Sequence, residues 1–333
     1  HGSSAWLNVI VIFILAILMT ISITFLFKKF QGQDILDVCK FLGGNTLTII
    51  MGILYIILLL LVPIFVVKNF SEALQVIYFK TSPLIFILLF FIISSTIANK
   101  FSLKVLAKAN LIITPIIFFS IIIILLSSFK SFDVRRICPI LGYGVNQTFF
   151  SGLSNVFSFS GIGYLFFIGP FINNTKDFKK MSIISIVLSG LYLFLSVTCI
   201  LLSLSPTFKS EETFSLYLLT RNLSYGRFIQ RVDAIFIFLW IISVITYISF
   251  AIYFAIYILK KLTKISDTSS INYTINLLVL TVLLIPSSLA VTAQIPYKTF
   301  KIGTLIFLFG ISIIILILAN LKLKIIDKKK GKV

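Results

Sequence analysis

Nine stretches of this chain are apolar for long enough to cross a bilayer, and that constrains its fold more than any motif does. A spanning helix needs about 20 mostly apolar residues. Such runs fall at 6–27, 45–67, 82–98, 105–128, 150–172, 181–204, 231–259, 271–291 and 301–321. Hydrocarbon offers no partner to backbone N–H and C=O groups, so each run has to close its own hydrogen bonds as a helix. A β-barrel would instead show short segments of alternating polarity, and here the apolar runs are unbroken. The expected fold class is therefore all-α and polytopic. Composition agrees: 59% of the 333 residues are hydrophobic and 12% charged, against about 45–50% and 25% in a soluble domain. A soluble globular chain and a disordered one are both excluded. The run at 82–98 is short, and that at 231–259 is long enough to tilt.

The net charge is +19, from 29 Lys and Arg against 10 Asp and Glu. In a soluble protein this would suggest nucleic acid. Here the basic residues lie between apolar runs, where anionic headgroups and the positive-inside rule account for them. Taking alternate loops together, eighteen lie on the side that includes Lys28, Lys29, Lys104, Lys180, Lys260 and the C-terminal lysines. Eleven lie on the side of Lys68, Arg135, Arg221 and Lys298. The first side is expected to be cytoplasmic, which places the C-terminus inside and residue 1 outside. An outer start without methionine, just ahead of a span, leads to the expectation of one further span upstream and ten in the parent. The alternative is a short added leader over residues 1–4. The domain reading is one transmembrane domain over 1–327 and a basic cytoplasmic tail over 328–333.

Chemistry-bearing residues are scarce. Cys39, Cys138 and Cys199 are odd in number and widely spaced, and the single histidine is His1. Neither a disulfide framework nor a metal motif follows, and histidine-dependent acid–base or metal chemistry has no residue inside the membrane. The expectation is a protein that is not an enzyme and carries no cofactor or metal. No span centre holds Asp or Glu, which argues against a buried carboxylate relay. Asp233 stands near Arg227 and Arg231, as a local ion-pair cluster would, and Lys108 lies one turn into a span, from which it can snorkel. Pro63, Pro115 and Pro286 mark kinks.

The segment 139–172 differs from the other spans. It carries Pro139, Gly142, Gly144 and Gly152, then Phe157-Ser158-Phe159-Ser160-Gly161-Ile162-Gly163, then Gly169-Pro170. Neither Gly142-Tyr143-Gly144 nor Gly161-Ile162-Gly163 has the rest of a dinucleotide fingerprint. Glycine is a poor helix former, and unwound backbone at membrane depth is tolerated only where it faces protein or a cavity. Transporters use such breaks to hold substrate and ions. Small residues also allow close helix packing, and on the sequence alone the two readings stand level.

Three stretches resemble the B subunits of endospore germinant receptors, the spore-germination permease family of the amino acid–polyamine–organocation superfamily. They are Phe30 to Asp37, Phe157 to Phe171, and Asn222 to Trp240 with its Asn-Leu-Ser-Tyr-Gly226-Arg-Phe-Ile-Gln-Arg231-Val-Asp233 core. Gly2 to Trp6 is similar to the family's outer segment before its second span. The resemblance implies a LeuT-like five-plus-five inverted-repeat bundle whose first helix is not in this chain. It implies an integral protein of the bacterial cell membrane or inner spore membrane that senses a small germinant together with A and C subunits. By analogy with the superfamily, the ligand-binding residues are Ser160, Gly161 and Gly163 on the broken sixth helix, Tyr55 and Leu59 on the third, and Ser243 and Tyr247 on the eighth. The sequence departs from the family where Gly163 stands in place of a frequent acid, and where acids would be expected near Arg227 and Gln230. With no charged partner in the set, a neutral amino acid, a nucleoside or a sugar would fit. A secondary transporter of amino acids or related solutes is the alternative function, and a scaffold for the A and C subunits a third.

The orientation is checked by C-terminal fusions. A fluorescent protein after Val333 is expected to fluoresce and alkaline phosphatase there to be inactive; the opposite pattern would invert the topology.

Overall fold

Every backbone polar group of a chain in hydrocarbon has to find a partner inside the protein, and the observed architecture follows from that. The structure, a computed structural model, describes residues 2–172, 174–204, 219–221, 232–265, 267–285 and 297–330. Among the described residues there is helix and no strand. The helices are α1 (Ala5–Leu26), α2 (Ile35–Ile77), α3 (Leu84–Ala98), α4 (Leu103–Ser128), α5 (Thr175–Ser203), α6 (Val232–Thr263), α7 (Thr268–Leu283), α8 (Tyr297–Leu305) and α9 (Ile311–Lys330). An irregular segment, Asn146–Phe171, separates α4 from α5, and a π turn, Ile306–Gly310, joins α8 to α9.

Among the described residues seven helical stretches are long and apolar enough to cross a membrane, and the protein is integral to one. The expectation was nine. Leu84–Ala98 and Thr268–Leu283 are apolar but have 15 and 16 residues, short of the about 20 that a perpendicular span requires. The end of the expected 271–291 run, with Pro286, lies outside the described residues. The exposure of Leu111, Ile112, Phe119 and Leu126 on α4 is what lipid contact demands of a span. Lys108 is also exposed on α4.

Hydroxyl side chains do not break these helices because they bond back into them. Thr20 donates to the Ala16 carbonyl at 2.8 Å, Thr48 to Gly44 at 2.9 Å and Thr96 to Ile92 at 2.7 Å. This is the usual local solution for Ser and Thr without water.

The chain divides into two compact units. The first holds His1–Ile14, Phe101–Asn155 and Val187–Tyr247; the second holds Leu15–Lys100, Val156–Ile186 and Ile248–Val333. In the first, Asn8 is 3% exposed. Its amide donates to the Thr148 carbonyl at 3.0 Å and its side-chain oxygen accepts from Asn155 at 3.0 Å, tying α1 to the start of the irregular segment. In the second, α2, α3 and α7 pack together. Phe70 meets Phe91 edge to face at 5.8 Å, and Asn272 donates to the Thr96 carbonyl at 3.0 Å.

Helix α2 begins earlier and ends later than the apolar run suggested. Asp34 and Asp37 form a capping box, each carboxylate accepting the other's backbone N–H, at 2.9 and 3.3 Å. One short piece, 35–42, then breaks at Gly43 and Gly44. Gly44 has φ +70°, which only glycine adopts freely. The long span follows and continues past Lys68 to Ile77, so Lys68 is a helical residue and not a loop residue. It lies 3.9 Å from Glu72, a buried acid that the run over 45–67 did not include.

Orphan carbonyls at three helix ends are met by basic side chains. Lys322 donates to Phe41 at 2.7 Å and Leu42 at 3.1 Å, ending the short piece of α2. Arg136 donates to Leu202 at 3.2 Å and to Ser203 at the end of α5. Lys68 donates to Leu283 at 2.9 Å, the last residue of α7. Side-chain donors satisfy carbonyls that the helix itself cannot.

Removing such a donor strands part-buried acceptors, at a cost of about 1–3 kcal/mol where the acceptor is shielded from water. Lys322→Met is expected to lower the thermal unfolding temperature of the purified protein by several degrees, whereas Lys324→Met, at an exposed position, leaves it within about a degree.

Candidate functional site

The glycine-rich segment is broken. It starts as a π turn at Asn146–Phe150, continues as 3-10 helix at Ser151–Tyr164, makes one α turn at Leu165–Ile168 and ends as 3-10 helix at Gly169–Phe171. Inside it, Phe159 leaves helical geometry at φ −101° and ψ 22°. Runs of 3-10 helix rarely exceed three or four residues because their hydrogen bonds are poorer, so this stretch, itself interrupted at Phe159, departs from the α-helix expected of a span. Residues to Asn155 belong to the first unit and those from Val156 to the second.

The three glycines of the second part have different surroundings. Gly161 is exposed, and a Cβ there would meet nothing within 4 Å. Gly163 is buried, and a Cβ there would stand 2.6 Å from Cδ2 of Leu308. At Gly169 a Cβ would approach the Gln33 carbonyl oxygen to 2.2 Å. Gly161 therefore borders open space, Gly163 admits a neighbouring side chain and Gly169 admits a neighbouring backbone. Ser160 is half-buried.

Leu308 lies in the π turn Ile306–Gly310, so two stretches of irregular backbone meet at Gly163. The same contact leads to Tyr55. The Ser312 hydroxyl donates to the Leu308 carbonyl, and the Tyr55 hydroxyl lies 2.6 Å from Ser312 Oγ. With Ser312's proton committed, Tyr55 is the donor. Tyr55 is fully buried, and its ring meets Phe167 edge to face at 5.2 Å. Phe167 packs on Phe254 at 5.9 Å, and Phe254 stacks on Tyr164 at 5.4 Å. Leu59, one turn beyond Tyr55, is 6% exposed. Gly163, Tyr55, Leu308 and Ser312 are thus brought together in the second unit.

Ser243 and Tyr247 belong to the first unit. Both are half-buried, and Ser243 donates to the Leu239 carbonyl of its own helix at 2.8 Å. Of the third resembling stretch, residues 222–231, with Arg227, Gln230 and Arg231, lie outside the described residues. Asp233 is buried at 4% exposure. Among the described residues no group of His, Cys, Asp and Glu could hold a metal ion.

A clamp that sequence reasoning missed adjoins Gly169. Asp34 is completely buried, and its Oδ2 accepts from the Tyr257 hydroxyl at 2.6 Å and from Lys261 at 2.7 Å. Lys261 also reaches Asp37 at 2.7 Å. One lysine of α6 therefore holds both carboxylates of the α2 capping box. The Phe171 ring lies 5.6 Å from that of Tyr257. The broken segment thus touches the clamp twice, through Gly169 on Gln33 and through Phe171 on Tyr257. The available signal was the Asp34-x-x-Asp37 spacing of a capping box.

The family described as spore germination protein matches residues 1–292. Spore germination protein KB of Bacillus subtilis (strain 168) is 23% identical over 238 residues, which cover 70% of this chain and 64% of that protein. Spore germination protein B2 of the same strain is 22% identical over 242 residues, covering 71% of this chain and 65% of that protein. The matched regions span less than two thirds of either relative. The chain belongs to the spore germination protein family.

The glycine geometry predicts an order of stabilities. Gly161→Ala should unfold within about a degree of the wild type, Gly163→Ala should lose about 1–3 kcal/mol by overpacking, and Gly169→Ala should lose more, because backbone cannot yield as a leucine tip does. Thermal unfolding in detergent checks this, and equal losses at 161 and 163 would contradict it.

Proposed function

We propose, from membership in the spore germination protein family, that this chain is the germinant-sensing membrane subunit of a spore germinant receptor. It works with A and C subunits in the inner spore membrane. In this reading its helices, including the two short ones, form nine of the ten spans of a LeuT-like five-plus-five inverted repeat. A small neutral germinant, most simply an amino acid, binds at the broken segment.

The observation that carries the reading is Gly161: it lies just after the helix break at Phe159, inside a span and beside open space, whereas Gly163 and Gly169 are closely packed. Free backbone at such a break can receive the carboxylate and ammonium of an amino acid without charged side chains. Ser160 adds a hydroxyl. Tyr55 and Leu59 shape the wall from behind, because the Tyr55 hydroxyl is engaged with Ser312. Ser243 and Tyr247, on α6 in the first unit, are proposed as germinant contacts from the family resemblance alone. Ligand binding tightens the 3-10 stretch and shifts Gly169 and Phe171 against the clamp at Asp34, Tyr257 and Lys261. The signal to the partner subunits leaves through that shift. Secondary transport of amino acids is the second reading, favoured by the same helix break.

Filling the open space separates these from a scaffold role. Spores carrying Gly161→Leu are expected to need about tenfold or more germinant for half-maximal response, with Gly161→Ala close to wild type and protein levels equal by immunoblot. Unchanged sensitivity to every amino acid, nucleoside and sugar in a broad panel would overturn the sensing role. Gradient-driven amino acid uptake by reconstituted protein would establish transport in its place.

A further inference from the structure

At the lysine-rich end of the second unit, four lysines differ in what they already hold. Lys261 is engaged with Asp34 and Asp37 at 2.7 Å each. Lys322 is engaged with the carbonyls of Phe41 and Leu42. Lys29 and Lys40 are exposed, and their ammonium groups have no hydrogen bond or ion pair among the described residues. Both line one cavity of about 650 Å³, with Phe30, Phe41 and Leu323 as its apolar wall. The carboxylate that lines it, Asp37, shares Lys261 with Asp34, while Lys322 is bonded only to neutral carbonyls. Four lysines thus stand against two carboxylates here, and the surplus positive charge lies on Lys29, Lys40 and Lys322 beside a hydrocarbon surface.

Its depth is set by the spans. Lys29 is the last residue of the apolar stretch Gly2–Lys29, and Leu323 lies near the end of Lys301–Lys328. Two spans end here, where hydrocarbon gives way to headgroups. A lone phosphate would satisfy the ammoniums but not the Phe41 and Leu323 surface. A neutral lipid would satisfy the surface but not the ammoniums. We propose that this cavity is a binding site for an anionic phospholipid, Lys29 and Lys40 holding the phosphodiester and Phe41 and Leu323 receiving the start of an acyl chain. Lysine serves phosphate as a point charge, and basic pockets at a membrane face are where anionic headgroups bind. The inference is independent of which germinant, if any, the protein senses.

The test is native mass spectrometry of the full chain in detergent with equal phosphatidylglycerol and phosphatidylcholine. The wild type is expected to retain phosphatidylglycerol preferentially. Lys29→Gln with Lys40→Gln should lower that retention about fivefold or more, and Lys29→Arg with Lys40→Arg should keep it. Lys324→Gln with Lys328→Gln removes the same charge from exposed positions outside the cavity and should change retention less than about twofold. Equal losses in the two glutamine doubles would mean a diffuse field and no site, and would overturn the proposal. So would equal retention of both lipids, or release of the lipid by millimolar inorganic phosphate. Should the double variant fail to fold, the wild type still decides. Phosphatidylglycerol is expected to protect Lys29 and Lys40 from acetylation by an amine-reactive reagent relative to Lys324, and equal labelling would refute the site.

Discussion

The interaction on which this structure depends is the hydrogen bond from a basic side chain to an orphan backbone carbonyl at a helix end. A membrane helix satisfies its interior by itself, but its ends and breaks leave acceptors unpaired. In this protein basic side chains fill that role. Lys322 ends the short first piece of α2, Arg136 ends α5 and Lys68 ends α7. Thr and Ser hydroxyls return to carbonyls of their own turns. The large positive charge is thus not one phenomenon. Part of it closes helix ends, and Lys261 binds two carboxylates.

Those closures permit the irregular backbone. The glycine break at Gly43 and Gly44 stands next to the carbonyls to which Lys322 donates, and the capping box at the other end of that piece is held by Lys261. A short helix pinned at both ends can precede a long span without a rigid continuous axis. The 3-10 stretch Ser151–Tyr164 and the π turn Ile306–Gly310 likewise meet where Gly163 admits Leu308. Irregular helix recurs at functional positions because it frees or redirects backbone groups. Here one such stretch borders open space at Gly161, and its far end rests on the Asp34 clamp through Gly169 and Phe171.

The amino-acid sequence by itself determined the membrane class and the place of the helix break. Apolar run length and glycine clustering are local properties, read directly along the chain. It indicated nine spans; seven described helical stretches are long and apolar enough to cross, α3 and α7 having 15 and 16 residues. It also cut α2 short on both sides, because a charged residue such as Lys68 or Glu72 looks like a loop until the partner helices that bury it are known. Only the tertiary structure decided how the glycines differ and which basic residues were already engaged. Gly161, Gly163 and Gly169 have the same composition and meet open space, a side chain and a backbone carbonyl. Asp34 and Lys261 are 227 residues apart, and Tyr55 and Ser312 are 257 apart. No periodicity encodes such pairs, because the chemistry that joins them exists only once distant helices are packed side by side.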